Sequence, residues 1–413
     1  MSRLFGTDRR VLVLAVARMA DAIGNSFLIV VLPAFIASGQ VELTGLTGIE
    51  VLGIELTEEL LIGIVLSLFG FLNSFLQPFT GRLSDRTGRR RPFILAGLGL
   101  LGLASAGYVV ASDYHVVLVL RALQGVGAAL TIPATVALVN ELATAGDRGG
   151  NFGVFNTFRL IGFGFGPFVA GAVSQHLGFG AAFAVAVVGA GVSFLLVTLL
   201  VEDPPTTGAS AGDDLTVAVR GRNHLLDPVF TLGVATVCMG VGIALFATLR
   251  DPINARLVQG DTWFGAQFGA AVLGNVALQV PVGRASDRYG RKPFIVGGFA
   301  LLVPAMLAQG VVTTPVGMLL ARTVQGVAVA LVFAPSLAVA GDLAGEGRSG
   351  STLAVLTMGF GLGTAIGPLV SGYLVRYGFA VPFVLGAGLG ALGLVLVATQ
   401  VDETVSADDE SPA

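Results

Sequence analysis

Long apolar segments recur along the whole chain and constrain its fold more than any other feature. A helix needs roughly 20 apolar residues to cross a bilayer, and 12 segments reach that length, at residues 11–37, 59–80, 93–112, 116–141, 151–174, 179–201, 227–249, 263–283, 293–312, 315–341, 350–374 and 379–400. Inside lipid, backbone N–H and C=O groups must bond within their own helix or around a closed barrel. Segments of this length predict an all-α membrane protein with 12 transmembrane helices.

Charged residues are too few to cover a water-facing surface. They make up 12% of the 413 residues, and hydrophobic residues make up 54%, whereas soluble domains carry roughly 25% charged residues. The net charge of −3 gives no reason to expect a nucleic-acid partner. The single cysteine, Cys238, excludes an internal disulfide and a multi-cysteine metal site. We find no GxxxxGK(S/T) sequence for nucleoside triphosphates, and we predict no cofactor and no metal.

Basic residues collect on one side of the predicted membrane. With both termini placed in the cytoplasm, the inner segments hold 16 of the 23 Lys and Arg residues, and the outer loops hold only Arg256 and Arg376. An excess of Lys and Arg in cytoplasmic loops is the rule for such proteins. We therefore predict a multi-pass protein of the plasma membrane with both termini in the cytoplasm.

Three short sequences occur twice at a nearly constant offset of 201 to 202 residues. Residues 81–89 (GRLSDRTGR) return at 283–291 (GRASDRYGR), 121–125 (RALQG) at 322–326 (RTVQG), and 166–171 (GPFVAG) at 367–372 (GPLVSG). A constant offset over three segments indicates a duplicated unit of six helices. We predict two pseudo-symmetric six-helix bundles at 1–201 and 227–400, a cytoplasmic linker at 202–226 and a disordered cytoplasmic tail at 401–413.

The segment between the second and third predicted helices carries a specific signature. It resembles that of the major facilitator superfamily of transporters, with Ser84 where the family often has alanine, and the resemblance extends over essentially the whole chain. It implies the major facilitator fold and two conformational latches, formed by Gly81, Asp85, Arg86, Gly88, Arg89 and Glu141 and by Asp287, Arg288, Arg291 and Asp342. In the first latch we expect Arg86 and Arg89 to bridge to Glu141. The alternative is a basic loop that only fixes the topology.

The fourth predicted helix carries an arginine inside the membrane. Arg121, followed by Gln124 and Gly125, resembles the family's arginine motif, which implies a role in proton coupling. A charge within a span is expensive and is a functional candidate by default. A structural ion pair is the alternative.

The fifth predicted helix resembles the motif of the drug:proton antiporters, except that Ala170 stands where glycine is usual. The matching positions are Gly153, Gly162, Gly166, Pro167 and Gly171. Small residues allow a helix to pack closely on a neighbour, and proline removes one backbone hydrogen bond. Ordinary packing of small residues is the alternative.

Asp21 is the one acidic residue that we find deep within the predicted spans. Arg18 lies one turn away on the same helical face, and Arg159 lies at about the same depth in the fifth helix. Motion that changes the contact with arginine would switch Asp21 between its protonated and ionised forms. We predict Asp21, Arg121 and Arg159 as the proton-coupling residues. The alternative is a permanent salt bridge of Asp21 with Arg18, Arg121 or Arg159.

The resemblance places the substrate cavity among the first, fourth, seventh and tenth helices. Its predicted walls contain few polar groups among apolar ones, namely Asn25, Phe27, Gln124, Met239, Phe246, Gln325 and Phe333. Ligand pockets are commonly apolar with a few orienting polar groups. This favours a lipophilic or amphiphilic substrate. The alternative is that the phenylalanines face lipid.

Together these features predict a secondary active transporter that exports small lipophilic or amphiphilic compounds in exchange for protons, and not an enzyme. The predicted partners are the substrate, protons and the lipid bilayer, with the protein acting as a monomer. A metabolite symporter or uniporter for a sugar or organic anion is the first alternative. A membrane sensor that transports nothing is the second.

Overall fold

Helices make up almost all of the chain that the structure describes. The computed structural model describes residues 3–4, 7–51, 53–142, 148–203, 219–221, 224–343 and 349–404. In chain order the helices are α1 (Arg9–Phe35), α2 (Glu58–Thr87), α3 (Arg91–Gly107), α4 (Tyr114–Leu142), α5 (Arg148–Leu200), α6 (Pro228–Ala244), α7 (Arg250–Leu257), α8 (Asp261–Tyr289), α9 (Arg291–Val311), α10 (Pro315–Leu343), α11 (Ser349–Leu374) and α12 (Val381–Gln400). Two small antiparallel hairpins pair β1 (Arg3–Leu4) with β2 (Thr7–Asp8) and β3 (Glu50–Val51) with β4 (Ile54–Glu55).

Ten helices in these ranges are long and apolar enough to cross a membrane. One of them, in α5, has an apolar stretch of 47 residues, about twice the length that a single crossing needs. Its course is broken at Gly178, whose φ of 80° and ψ of 177° are not helical and are readily adopted only by glycine. We call residues 148–177 α5a and residues 179–200 α5b. This division gives 11 segments. The twelfth is α8, which is less apolar than the ten and contains the predicted span 263–283. Each of the 12 predicted spans therefore coincides with a helical segment.

The chain divides into two compact units. The first comprises Met1–Ala211 with Ala247–Gly269, and the second comprises Gly212–Phe246 with Ala270–Ala413. In the first unit α1 packs on α5, and α3 packs on α4 and α5. In the second unit α6 packs on α11 and α12, and α9 packs on α10 and α12. Corresponding helices of the two repeats therefore have corresponding neighbours within each unit.

The contact between α1 and α5 is close because glycines line it from both sides. A Cβ built on Gly189 of α5b would lie 2.7 Å from the carbonyl oxygen of Ala20, and one on Gly24 would lie 3.2 Å from the Cα of Ala186. Both distances are shorter than ordinary Cβ contacts, which begin near 3.4 Å. The backbones of α1 and α5 thus meet where side chains would keep them apart, which is the usual device of helix packing in lipid.

The linker and the tail are only partly described. Residues 204–218, 222–223 and 405–413 lie outside the described residues, so the division at 202–226 stays a prediction. Residues 401–404, which we expected to belong to the tail, are described, and the Glu403 carboxylate accepts hydrogen bonds from the backbone N–H groups of Arg291 and Lys292.

Candidate functional site

Asp21 is buried in α1 and paired within its own helix. Only 3% of the residue is exposed. Its Oδ2 forms an ion pair with Nη1 of Arg18, and its Oδ1 accepts a hydrogen bond of 3.3 Å from the Asn25 amide. Of the three arginines that the sequence offered as partners, the structure selects Arg18, because the spacing of three residues places both side chains on one face of the helix.

A small cavity opens beside this ion pair. It leaves about 10 Å³ for the centre of a water molecule, which is roughly the space that one ordered water needs. Its polar lining comes from Arg18, Asp21, Thr131, Thr135 and Ser193, and its apolar lining from Leu14, Ala17, Ile94, Leu98 and Val197. The three hydroxyl groups donate to backbone carbonyls, so their oxygen lone pairs remain to accept hydrogen bonds from water.

Arg159 lies in α5a and does not bond to Asp21. Its Nε and Nη2 donate to Oδ1 of Asn156, one turn earlier, at 3.1 and 2.9 Å. Arg18 lies within electrostatic range of Arg159. Two guanidinium groups and one carboxylate therefore share this part of the first unit.

Arg121 is the most deeply buried of the predicted coupling residues in the first unit, with 2% of the residue exposed. Its guanidinium lies 4.3 Å from the centre of the Phe69 ring, and its Nη1 donates to Oε1 of Gln124 at 3.0 Å. The same oxygen accepts from the Tyr108 hydroxyl at 3.1 Å, and the Gln124 amide donates to Ser105. Nε of Arg121 has no hydrogen-bond partner in the described residues. The arginine is thus held by a neutral amide and an aromatic face, and not by a carboxylate.

The second unit repeats this arrangement with different supporting groups. Arg322 donates to Oε1 of Gln325 and lies 4.2 Å from the centre of the Phe246 ring. Gln309 stands where the first unit has Tyr108 and donates to the same oxygen at 3.2 Å. Gln325 in turn donates to the Gly242 carbonyl at 3.2 Å.

The glycines of the predicted antiporter motif face two different helices. Gly162 and Gly166 pack against α1, where added Cβ atoms would lie 3.1 Å from the Ala22 side chain and 2.7 Å from the Ile23 carbonyl oxygen. Gly171 and Pro167 instead face the start of α8 at Asp261 and Gly265. The surroundings of Gly153 lie outside the described residues.

The close packing of Gly162 and Gly166 is repeated in the second unit. Gly363 and Gly367 of α11 meet the backbone of α6, with an added Cβ on Gly367 lying 2.8 Å from the Val241 carbonyl oxygen. This part of the motif therefore serves tight helix contact in both repeats. Any link to antiport stays a prediction.

The first predicted latch is centred on Arg90, which we had not predicted as a member. Its Nε and Nη2 donate to Oε1 of Glu141 at 3.0 and 2.8 Å, and its Nη1 donates to Ser84 at 2.9 Å. We had expected Arg86 and Arg89 to contact Glu141, but the structure places Arg90, the residue after Arg89, at this carboxylate. Gly88 has a φ of 63°, a left-handed conformation that favours glycine, and it turns the chain from α2 toward α3. The side chain of Asp85 lies outside the described residues.

The second predicted latch is centred on Arg291, which corresponds in the repeat to Arg89 and not to Arg90. Arg291 forms ion pairs with Asp342 and, at 3.2 Å, with Asp287. Arg288 instead lies over the Tyr289 ring, with its guanidinium 5.3 Å from the ring centre. Three of the four predicted residues therefore meet.

In each repeat, an acidic side chain that follows the last helix accepts hydrogen bonds at the start of the third helix. Oδ1 of Asp203, three residues after α5, accepts hydrogen bonds from the backbone N–H groups of Arg90 and Arg91 at 3.0 and 2.9 Å. Glu403, three residues after α12, does the same at the start of α9. Each carboxylate satisfies free N–H groups at a helix N-terminus and lies at its positive end. A search for acids at equal distances past the last helix of each half would have found both.

Ion pairs also form around the start of α8, within the first unit. Nε and Nη2 of Arg250 donate to Asp261 at 2.8 and 2.7 Å, and Arg250 also pairs with Asp251. Burial raises the pKa of the Asp251 carboxyl above its usual value; Arg250 opposes this shift, and the charges of Asp261 and Glu59 add to it.

Most residues predicted to line the substrate cavity are buried in helix packing. Phe27, Gln124, Met239, Phe246 and Gln325 are each about 0% exposed. Phe333 is half-buried, with its ring centre 5.3 Å from that of Phe360. Asn25 is half-buried and contacts Asp21. Of the predicted set, Asn25 is thus the residue placed directly beside the buried carboxylate, and contact of the others with a substrate stays a prediction.

Apolar helices in two repeated sets, with ionised side chains buried among them, define a polytopic membrane protein of the transporter class. A family model for the Major Facilitator Superfamily matches residues 14–252 and 232–412, which together cover nearly the whole chain. The chain belongs to this family, whose members are membrane transporters of small molecules.

Three relatives illustrate the range of similarity. Quinolone resistance protein NorA of Staphylococcus aureus (strain COL) is 21% identical over 393 residues, which is 91% of this chain and 92% of NorA. Citrate exporter 1 of Aspergillus niger is 30% identical over 158 residues, so the match covers 38% of this chain and only 29% of that exporter's length. The crystal structure of the human organic anion transporter MFSD10 (TETRAN) aligns with a TM-score of 0.67 at 21% identity, over 94% of this chain and 99% of that one.

Proposed function

We propose that this protein exports small lipophilic or amphiphilic compounds in exchange for protons, with Asp21 as the proton-binding group. The observation that carries the proposal is the Asp21–Arg18 ion pair, buried within a span and bordered by a cavity of about the size of a water molecule. A lone carboxylate in the membrane is expensive to ionise and marks a proton or ion path. A water molecule in this cavity would be the immediate donor or acceptor of the proton at the carboxylate.

Alternating access supplies the physical link between proton and substrate. In transporters built from repeated bundles, one bundle rocks against the other around a site near the middle of the membrane. The predicted latches centred on Arg90 and Arg291 are pairs that such motion would make and break. Loss or gain of the Arg18 contact would set whether Asp21 holds a proton.

The names of two relatives support the export of small organic compounds. One is a quinolone resistance protein and another a citrate exporter, and the aligned structure is that of an organic anion transporter. We extend the proposal to a monomer in the plasma membrane, and we place both termini in the cytoplasm because of the positive-inside bias.

The decisive experiment measures flux in proteoliposomes with an imposed pH gradient and a fluorescent quinolone as probe. We expect the wild type to move the probe against the direction of proton flow, and Asp21→Asn to lose this dependence on the gradient. Glu50→Gln, which removes an exposed acid from the first outer loop, is the matched control and should behave as wild type. Full gradient-driven export by Asp21→Asn would refute the assignment. Accumulation of the probe on the side that protons enter would show symport instead.

Topology can be tested because the chain has one cysteine. Cys238 is buried, so single cysteines introduced at Glu50 and Arg220 would be the main targets of a membrane-impermeant thiol reagent. We expect the first to react from outside intact cells and the second only after the membrane is opened. The reverse pattern would overturn the proposed orientation.

A further inference from the structure

Positive charge exceeds negative charge inside the first unit. Deep within its described spans lie three guanidinium groups, of Arg18, Arg121 and Arg159, and one carboxylate, of Asp21. Asp21 is already paired with Arg18, and Arg121 is held by a neutral amide and a phenylalanine ring. Burying charge without a counter-charge is costly. An anion is therefore the ligand that this interior lacks.

Arg159 is the arginine best placed to meet such an anion. Asn156 occupies only one edge of its guanidinium, since Nε and Nη2 both donate to the single oxygen Oδ1. Among the described residues, Asn156 is the acceptor that is hydrogen-bonded to Arg159, and the bonds come from Nε and Nη2 and not from Nη1. The side chain is half-buried, whereas Arg121 is 2% exposed and closed off under Phe69. A carboxylate can form paired hydrogen bonds with the open end of such a guanidinium.

The surrounding charge discriminates between ligand classes. Arg18 lies within electrostatic range of Arg159, and its ion pair with Asp21 leaves the group of three with a net positive charge. A cationic ligand entering here would meet like charge, and an anionic ligand would meet complementary charge. Asn156 adds a neutral amide group beside Arg159, and Asn25 adds one beside Asp21.

We propose that Arg159, aided by Arg18, binds a carboxylate on the transported compound, so the substrates are organic anions with an apolar body. This rests on the proposed transport function and names the chemical class of its cargo. Asn156 is a positioning residue, which holds the guanidinium so that its open end faces the ligand.

The test is equilibrium binding to the full-length protein in lipid nanodiscs at pH 7, with radiolabelled 2-naphthoate and 2-naphthamide as probes. The two share one apolar body and differ in a carboxylate against a neutral amide. We expect naphthoate to bind wild type about tenfold more tightly, as an added charge-assisted bond allows, and Arg159→Gln to bring the two probes to nearly equal affinity. Arg220→Gln removes one exposed positive charge outside the spans and should keep the preference.

A second variant covers the case in which Arg159→Gln fails to fold. Asn156→Asp places a protein carboxylate where Oδ1 now accepts from Arg159 at 2.9 Å, so it keeps the guanidinium paired and competes with the ligand. We expect it too to lose the preference for naphthoate. Equal affinity of the two probes for wild type, or a preference that survives in both variants, would overturn the proposal.

The outcomes separate this inference from the transport mechanism. A preference for naphthoate that depends on Arg159, without flux driven by a pH gradient, would leave the anion site standing and refute proton coupling. Proton-driven flux of a quinolone by a protein that binds both probes equally would support proton coupling and refute the anion site.

Discussion

The close contact between α1 and α5 gives a sharp steric prediction for Gly166. A Cβ added there would lie 2.7 Å from the Ile23 carbonyl oxygen and 3.2 Å from the Phe27 nitrogen. Both are backbone atoms, which cannot rotate away as the nearer Ser26 Oγ can. Restoring an ordinary distance of 3.4 Å to Ile23 requires the helices to separate by about 0.7 Å. Gly166→Ala should therefore strain the contact by ~1–3 kcal/mol, the usual cost of overpacking.

Gly191 provides the control because it lies in α5b, the next span of the same unit, with open space around it. No atom comes within 4 Å of a Cβ built at this position. Both substitutions gain ~0.5–1 kcal/mol, since alanine is the better helix former. Gly191→Ala should thus be neutral or stabilising, and the difference between the two variants isolates the overpacking cost.

The assay is denaturant unfolding in mixed micelles, followed by the fluorescence of Trp263, the only tryptophan in the chain. The midpoint should fall for Gly166→Ala and should not fall for Gly191→Ala. Gradient-driven flux should also fall for Gly166→Ala and not for Gly191→Ala. The reason is that the substitution at Gly166 displaces α1, which carries Asp21. A Gly166→Ala protein as stable as Gly191→Ala would refute the inference that the α1 and α5 backbones meet this closely.

Three further predictions concern the ends of the helices. Glu141→Gln should destabilise the protein by about 1 kcal/mol more than Asp342→Asn in side-by-side unfolding, because Glu141 accepts two bonds from a buried guanidinium, whereas the Asp342 side chain is 39% exposed. Asp203→Ala should cost about 1 kcal/mol, the usual effect of losing a helix cap, read as a lower unfolding midpoint. Asp251→Asn should stabilise the protein more at pH 7 than at pH 4, measured by melting at both values. The pKa of Asp251 is raised in the folded state, so wild type loses stability as the pH rises above about 4.

Each of these predictions has a plain contrary result. Equal losses in the first pair would mean that the predicted latches contribute alike despite their different exposure. An unchanged midpoint for Asp203→Ala would show that the Asp203 carboxylate does not stabilise the start of α3. Because the Asp251 side chain is 45% exposed, water screens its interactions and the effect should be small. A shift that does not depend on pH would show that pairing with Arg250 cancels the effect of burial on the pKa of Asp251.

The positions of the membrane helices could be predicted because hydropathy is a local property. In lipid, each apolar segment must satisfy its backbone hydrogen bonds within itself. Its helical state can therefore be predicted without knowing which segments pack against it. Even the turn between the fifth and sixth predicted spans coincides with the break at Gly178 inside the long α5. The repeated sequences likewise predicted corresponding helices, since a duplicated unit carries its packing faces with it.

The partners of individual charges were harder to predict. A constant sequence offset suggested that Arg89 and Arg291 are equivalent, but the carboxylates select Arg90 in one repeat and Arg291 in the other. A shift of one residue at the turn after Gly88 turns a different side chain toward the acid. The roles of Asp203 and Glu403 depend on where the chain runs after the last helix of each repeat, which composition does not reveal.

The sequence was enough to predict a helical membrane protein made of two similar halves. In lipid, every segment must form its backbone hydrogen bonds separately. Only the tertiary structure decided that Asp21 pairs with Arg18, that Asn156 holds one edge of Arg159, and that Arg121 rests on Phe69. Such choices depend on side-chain direction and on contacts between segments far apart in the chain, where a difference of one residue changes which charges meet.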